Sequence, residues 1–249
     1  MTRDADKIAL ILAAGKGKRM KSDLPKVLHR LDGRYIVDYV IDAARKAGID
    51  RQILVIGHKA EQMREAFAGR DILLALQAEQ LGTGHAVMMA REHLRGFSGD
   101  LVILCGDMPL VKPETIKRLV EERRRLKAAA VVLTVSFDDP GKYGRIVRDE
   151  KGLLKAIVEY RDADKKVRKI KEINTGAYCF DWQKLEKILD RLNPDNDQKE
   201  YYLTDSISLF VRQGETVGAL VASDPCEGYG INSLEELDMV ETLIKNGTR

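Results

Sequence analysis

Ile8-Ala9-Leu10-Ile11-Leu12-Ala13-Ala14-Gly15-Lys16-Gly17-Lys18-Arg19-Met20 is an apolar run that breaks abruptly into glycines and cations. Five aliphatic residues in a row, Ile8–Leu12, suit a strand buried on both faces rather than one that alternates inside and out. The glycines that follow let backbone N–H groups approach a phosphate closely, and the lysines and Arg19 can neutralise it. The spacing is not that of a P-loop, G-x-x-x-x-G-K-[ST]. Met20 stands where a dinucleotide-binding turn would need its third glycine. Alone, the glycines read equally as a tight turn with a solvated basic face. Arg19 and the tripeptide Leu24-Pro25-Lys26 tilt the reading towards an anion site.

Outward from this segment, two periods alternate. Gln52–Ile56, Ile72–Leu76, Leu101–Cys105 and Ala129–Ser136 are further short runs of Ile, Leu and Val, each predicting a strand buried on both faces. Between them the spacing predicts helices over Tyr35–Ala47, Lys59–Ala68, Gly84–Leu94 and Pro113–Leu126. Gly48 just past the first and Pro113 at the start of the last are end signals. Strand, helix, strand, helix is the pattern of a parallel sheet with right-handed crossovers. After Pro140 the pattern changes. Arg145–Arg148 and Leu153–Glu159 flank Asp149-Glu150-Lys151-Gly152, a hairpin turn. Asp162 to Glu172 is charged and predicts an exposed loop. A strand (Ala177–Phe180), helices from Trp182 and from Thr204, a strand (Thr216–Ala222) and a last helix (Leu234–Lys245) follow. The fold class is therefore α/β: a Rossmann-like, mixed, mostly parallel sheet flanked by helices, with a smaller β-rich part. The expectation is one domain over 1–249, made of a first half (1–137), a second half (138–232) and a closing helix (233–249).

The chain has 249 residues, 42 Lys+Arg against 39 Asp+Glu, and is 44% hydrophobic. Such a chain can bury a sizeable core, which excludes disorder. Ile8 to Ala14 is the longest apolar run and is far short of the roughly 20 residues of a membrane span. It lacks the cleavage pattern of a signal peptide. Cys105, Cys179 and Cys226 are three, far apart and without C-x-x-C spacing, so a reducing cytoplasm is the expected location. A net charge of +3, spread along the chain, gives no argument for nucleic acid. The run Glu121–Lys127 predicts the solvated face of a helix. His29, His58, His85 and His93 show no metal spacing and are expected to be structural or exposed.

Three positions attract attention on chemical grounds. Gly106-Asp107 ends a buried strand at the carboxyl edge, where open α/β sheets bind ligands, and an Asp there can hold Mg²⁺. It could also simply form the turn before Met108-Pro109. Gln77 ends a strand with an amide able both to donate and to accept, as an imide edge such as uracil requires; an ordinary polar strand end is the alternative. Asn232 lies in the cap region of the last helix, where Ser233 is the better cap.

Leu12–Met20 with Asp23-Leu24-Pro25-Lys26-Val27-Leu28 resembles the signature of the sugar-1-phosphate nucleotidyltransferases. The likeness is greatest to the N-acetylglucosamine-1-phosphate uridyltransferases among them. Gln77–Ala86, Gly106–Leu110, Tyr143–Ile146, Glu172–Gly176, Glu200–Asp205 and Gly230–Asn232 match in order, so the resemblance spans Ile8 to Asn232. It implies transfer from UTP to N-acetylglucosamine-1-phosphate with Mg²⁺ as cofactor, the alternatives being another hexose-1-phosphate nucleotidyltransferase or a catalytically silent, nucleotide-sugar-sensing subunit. It also implies roles. Arg19 and Lys26 would meet the phosphates, and Asp107 and Asn232 would hold the metal at the sugar phosphate. Leu12, Ala13, Ala14, Gly15, Gln77, Gly82 and Thr83 would bind the nucleotide, while Gly144, Glu159 and Asn174 would read the sugar. Cys105 stands where relatives often carry an aromatic residue. The bifunctional relatives continue into a left-handed β-helix that acetylates glucosamine-1-phosphate; this sequence has no hexapeptide repeat. No acetyl transfer is therefore expected, and a monomer or weak homodimer rather than a trimer, with small molecules as partners.

Overall fold

The computed structural model of the chain describes residues 6–247. Lys7–Leu12 (β1) is followed by a small hairpin, Arg30–Leu31 (β2) and Arg34–Tyr35 (β3), and by the helix Ile36–Lys46 (α1). Gln52–Ile56 (β4), Ala60–Ala66 (α2), Leu73–Leu76 (β5), Thr83–Met89 (α3), Asp100–Cys105 (β6), Pro113–Leu126 (α4) and Ala130–Ser136 (β7) continue the alternation. Then come Arg145–Arg148 (β8), Leu154–Val158 (β9), Glu172–Asp181 (β10), Trp182–Leu189 (α5), Asp205–Arg212 (α6), Val217–Val221 (β11) and Leu234–Lys245 (α7).

Nine strands form one sheet in the order β11-β7-β10-β6-β1-β4-β5, with the β8–β9 hairpin attached through β10. β6, β1, β4 and β5 are mutually parallel, as are β7 and β11, while β10 runs antiparallel to both β6 and β7. The sheet is therefore mixed and mostly parallel, as the alternation predicts. Leu12 lies level with Val55 on one side and Cys105 on the other, so β1, β4 and β6 end together. The loops after these three strands share one edge. Apolar residues cover both faces. Val40 and Ile41 of α1 and Leu119 of α4 pack on one face; Val87 of α3, Trp182 and Leu185 of α5 and Phe210 of α6 pack on the other. Among the described residues no helix is long and apolar enough to cross a membrane.

Several expectations are corrected. β5 is not buried on both faces: it is the sheet's edge, and Leu73 and Leu76 stand about two-fifths exposed. The strand expected over Ala177–Phe180 begins at Glu172, and the preceding loop contains a 3₁₀ turn at Val167–Lys169. Its first half hid behind Asn174, Thr175 and Gly176, where the strand bulges against β7 and Gly176 adopts φ +86°. The helix expected to run from Gly84 to Leu94 ends at Met89 and gives way to a 3₁₀ turn at Arg91–Leu94. The run Glu121–Lys127 is not wholly a solvated face. Arg123 and Arg124 both pair with Asp100, which is 1% exposed at the start of β6. A carboxylate removed from water needs such partners.

Candidate active site

Chain geometry at the sheet edge creates the site. After β1 the Ala13 N–H donates to Val55 O (2.9 Å), the Gly106 N–H to Leu12 O (2.9 Å) and the His58 N–H to Ala14 O (3.1 Å), so the first loop is stitched to both neighbouring strand ends. A Cβ on Gly57 would lie 2.7 Å from that of Ala14 and 2.8 Å from Gln77 O, which only glycine avoids. The N–H groups of Ala14, Gly15 and Gly82 find no partner among the described residues and remain available to a ligand. Leu12, Ala13, Ala14, Gly15, Lys26, Gln77, Gly82, Thr83 and Asp107 line one cavity of about 260 Å³. Gln80, Cys105 and Glu200, which lie in or beside the matching segments but were not named as site residues, line it too. Burial pushes the Cys105 thiol up to about 12, so it stays neutral; it packs against Gly176, where a Cβ would lie 2.7 Å from its sulfur.

Lys26 sits at the start of a 3₁₀ turn opened by Pro25, and Gly17 lies so close that its Cβ would fall 2.8 Å from that of Lys26. The Lys26 ammonium pairs with the Asp107 carboxylate and donates to Asn232 Oδ1 at 2.9 Å. These residues lie 81 and 206 positions away in sequence. Asn232 is anchored from every side. Its own N–H meets Glu236 Oε2 (2.5 Å), the neighbouring Ile231 N–H donates to Asp107 O (2.9 Å), and the Gly230 N–H donates to the Tyr143 hydroxyl (3.2 Å). Ser233 caps α7, as expected, by accepting from the Glu236 N–H. Arg19 is more loosely placed: its side chain is 64% exposed and approaches Glu236 at 3.8 Å.

The donor set can be tested against Mg²⁺. Asp107 and Asn232 present a carboxylate and an amide oxygen close enough to hold the same ammonium. Two hard oxygen donors converging on one cation suit Mg²⁺, which takes the rest of its shell from water and phosphates. No group of three or more His, Cys, Asp or Glu side chains is gathered for a metal among the described residues. Asp107 and Asn232 could supply two oxygen ligands to such an ion, with the rest of its shell coming from outside these side chains.

A second cavity, of about 350 Å³, is lined by Arg19 and Glu159 with Lys142, Tyr160, Arg161 and Gln198. Glu159 is the first residue past β9. Burial pushes its carboxyl above the usual glutamate range, opposed by the Thr204 hydroxyl, which donates to it at 3.3 Å. A Cβ on Gly144 would lie 3.3 Å from the same carboxylate, and the Asn174 N–H donates to Gly144 O (2.9 Å). Asn174 is mostly engaged within the protein: its amide donates to the Tyr178 hydroxyl and accepts from the Gly176 N–H. One N–H of that amide is left without a partner among the described residues. Arg145, 2% exposed, shapes this corner by donating to the carbonyls of Pro140, Gly141, Tyr143 and Arg168. The expected residues thus divide between two cavities, with Asn232, Gly144 and Asn174 just behind their walls.

Gln77 differs from its expected use. Its Nε2 donates to Gly82 O (3.0 Å) and reaches His85 Nδ1 (3.1 Å), so both N–H bonds turn inward. The amide that was to offer a donor and an acceptor offers its oxygen. His85, expected to be structural or exposed, is half-buried and touches a site residue. The turn around it is braced by the segment from Glu200. Tyr201 N–H donates to Leu81 O (2.7 Å), Gly84 N–H to Tyr201 O (2.8 Å) and Leu203 N–H to the Thr83 hydroxyl (3.0 Å). Sequence alone signalled this segment only as a matching block without a role.

The profile of the MobA-like NTP transferase domain matches residues 9–176. Curated relatives named bifunctional protein GlmU include that of Clostridioides difficile, 46% identical over 95% of this chain, and that of Clostridium perfringens, 47% identical over 97%. The chain spans about half of their length, 51% and 53%. Among solved structures, a UDP-glucose pyrophosphorylase complexed with UDP-glucose superposes with a TM-score of 0.76 at 18% identity, over 97% of this chain and 99% of that one. At that identity the likeness concerns the fold. The chain belongs to the MobA-like NTP transferase domain family.

Proposed function

We propose that this chain transfers a uridylyl group from UTP to N-acetylglucosamine-1-phosphate, giving UDP-N-acetylglucosamine and pyrophosphate. The observation that carries the reading is the convergence of Lys26, Asp107 and Asn232 beside the Gln77 cavity, at the common edge of three parallel strands. An oxygen of the sugar phosphate attacks the α-phosphorus of UTP. The new P–O bond forms as the bond from the α-phosphorus to the bridging oxygen breaks, and pyrophosphate leaves with that electron pair. The nucleophile is already an anion, so no general base is required; positioning and charge neutralisation do the work. Lys26 neutralises charge at the reacting phosphates, and the exposed Arg19 is free to follow the departing pyrophosphate. Asp107 and Asn232 are the residues that would hold Mg²⁺, which when bound supplies further charge neutralisation at the phosphates. Gln77 Oε1 accepts from the N3–H of uracil while the Gly82 N–H donates to a uracil carbonyl, and the Leu12–Gly15 backbone flanks the nucleotide. Glu159 accepts from a sugar hydroxyl, with the Gly144 N–H and the remaining Asn174 N–H available to hydroxyl and acetamido oxygens.

The test is pyrophosphate release over a grid of UTP, CTP, ATP and GTP against several hexose-1-phosphates in Mg²⁺. Turnover concentrated at UTP with N-acetylglucosamine-1-phosphate supports the reading. Equal turnover of UTP and ATP, or a clear preference for glucose-1-phosphate, overturns it.

A further inference from the structure

We infer that His85 is a positioning residue that sets the base selectivity of this site by holding the Gln77 amide with its oxygen towards the ligand; the inference rests on the uridine reading above. Gly82 O is a carbonyl and can only accept, so the nitrogen of the Gln77 amide, 3.0 Å away, must face it. The second N–H of that nitrogen is directed at His85 Nδ1, 3.1 Å away. A ring nitrogen that receives an N–H must offer its lone pair, so the imidazole carries its proton on Nε2. Both donors of Gln77 are then spent inside the protein. The amide oxygen has no partner among the described residues, and Gln77, itself 3% exposed, lines the cavity.

The consequence is a Gln77 side chain that can only accept from the ligand. Uracil presents a donor, N3–H, to such an oxygen, whereas cytosine presents the lone pair of its N3 and is repelled. For cytosine to be read, the amide must turn over, which loses the bond to Gly82 O and sets two carbonyl oxygens face to face; the bond to His85 survives only when the imidazole moves its proton from Nε2 to Nδ1, so His85 adds to the cost of the turned-over amide. The imidazole is held in place. Its ring centroid lies 6.3 Å from that of Tyr201, whose backbone pairs with Leu81 and Gly84, and Leu81, Met88, Leu192 and Asp190 line the hollow it shares with Tyr201. His85 touches no reacting atom; it acts through Gln77.

Two variants separate an acceptor from mere bulk. His85→Asn can place an amide oxygen near the position of Nδ1, and His85→Leu fills similar space without an acceptor. The readout is the ratio of kcat/KM for UTP to that for CTP, measured with each preparation. A partly unfolded sample lowers both terms equally and leaves the ratio unchanged. His85→Leu is expected to lower the ratio by about tenfold, the scale of one hydrogen bond. The loss should come through a raised KM for UTP, with KM for the sugar phosphate unchanged, and His85→Asn should keep the ratio within about threefold of the parent by retaining that bond. A UTP-selective parent whose His85→Leu variant keeps its ratio overturns the inference alone. So does a His85→Asn variant that loses selectivity as fully as His85→Leu, since bulk would then matter and the acceptor would not. A parent that turns over CTP as well as UTP overturns the uridine reading, and the inference with it.

Discussion

Replacing Asp107 by Asn removes one charge and no volume, at a residue that ion-pairs with Lys26 and backs onto Ile231. Lys26 and Asp107 expose only 14% and 20% of their side chains, so water screens the pair incompletely. A hydrogen bond to a charged group contributes about 1.5–3 kcal/mol. Asn keeps an amide oxygen facing the ammonium, so the expected loss of stability lies near the lower end, about 1–2 kcal/mol. For a domain of this size that lowers Tm by about 2–8 °C. The loss of activity should be far larger. The variant loses the negative charge that would hold Mg²⁺ and orient Lys26 at the reacting phosphates, an effect of about 3–5 kcal/mol, or roughly 10²–10⁴ in kcat. Thermal melts and Mg²⁺-titrated pyrophosphate release measure both. Lys26→Met and the double variant complete a cycle, in which the stability losses should fall short of additivity because each single change breaks the same pair. An Asp107→Asn enzyme within a few-fold of the parent at saturating Mg²⁺ would refute this role, and strictly additive losses would refute the pairing.

Gly82→Ala should cost at least about 2 kcal/mol and raise KM for the nucleotide, since Gly82 has φ +106° and its Cβ would meet Tyr201 O at 2.6 Å; melts and nucleotide titration check it. Burial raises the Glu159 pKa in the folded chain, so folding is penalised as pH rises from the ordinary glutamate value of 4.5 through the raised one. Glu159→Gln should therefore gain in Tm relative to the parent as pH rises over that window, while its KM for the sugar phosphate worsens; a difference flat in pH would contradict the burial argument. Asp100→Asn, which leaves Arg123 and Arg124 facing an uncharged buried amide, should destabilise by about 3–5 kcal/mol in a denaturant titration and leave KM for both substrates unaltered.

The parallel core of the sheet was legible because strands buried on both faces must be largely apolar, and β1, β4, β6 and β7 are, apart from the first residues of β1, β4 and β6 and Thr134 and Ser136 of β7. β5 carries the same signal and is an edge, because composition reports what a strand could bury and not which neighbour arrives. The start of β10 was illegible because a bulge lets Asn174 and Gly176 sit in a strand that local preference argues against. For the site, the glycine-rich loop, Lys26 and Asp107 could be named from chemistry and resemblance. The ion pair between them could not, since 81 residues separate partners that only the sheet order brings together. Gln77 was recognised, but its orientation was not: that depends on Gly82 O and on a histidine in the first turn of α3. Arg123 and Arg124 looked solvated because a charge run on a helix usually is, and nothing local announces a buried Asp100 beneath it.

The most direct test of the account is ³¹P NMR of the chain incubated with UTP, N-acetylglucosamine-1-phosphate and Mg²⁺. The account predicts loss of the α-, β- and γ-phosphate signals of UTP in step with the sugar phosphate, and growth of UDP-N-acetylglucosamine and pyrophosphate in a one-to-one ratio. Lys26→Met should slow that conversion without changing its products. Consumption of UTP to UDP and inorganic phosphate, with the sugar phosphate untouched, would contradict it.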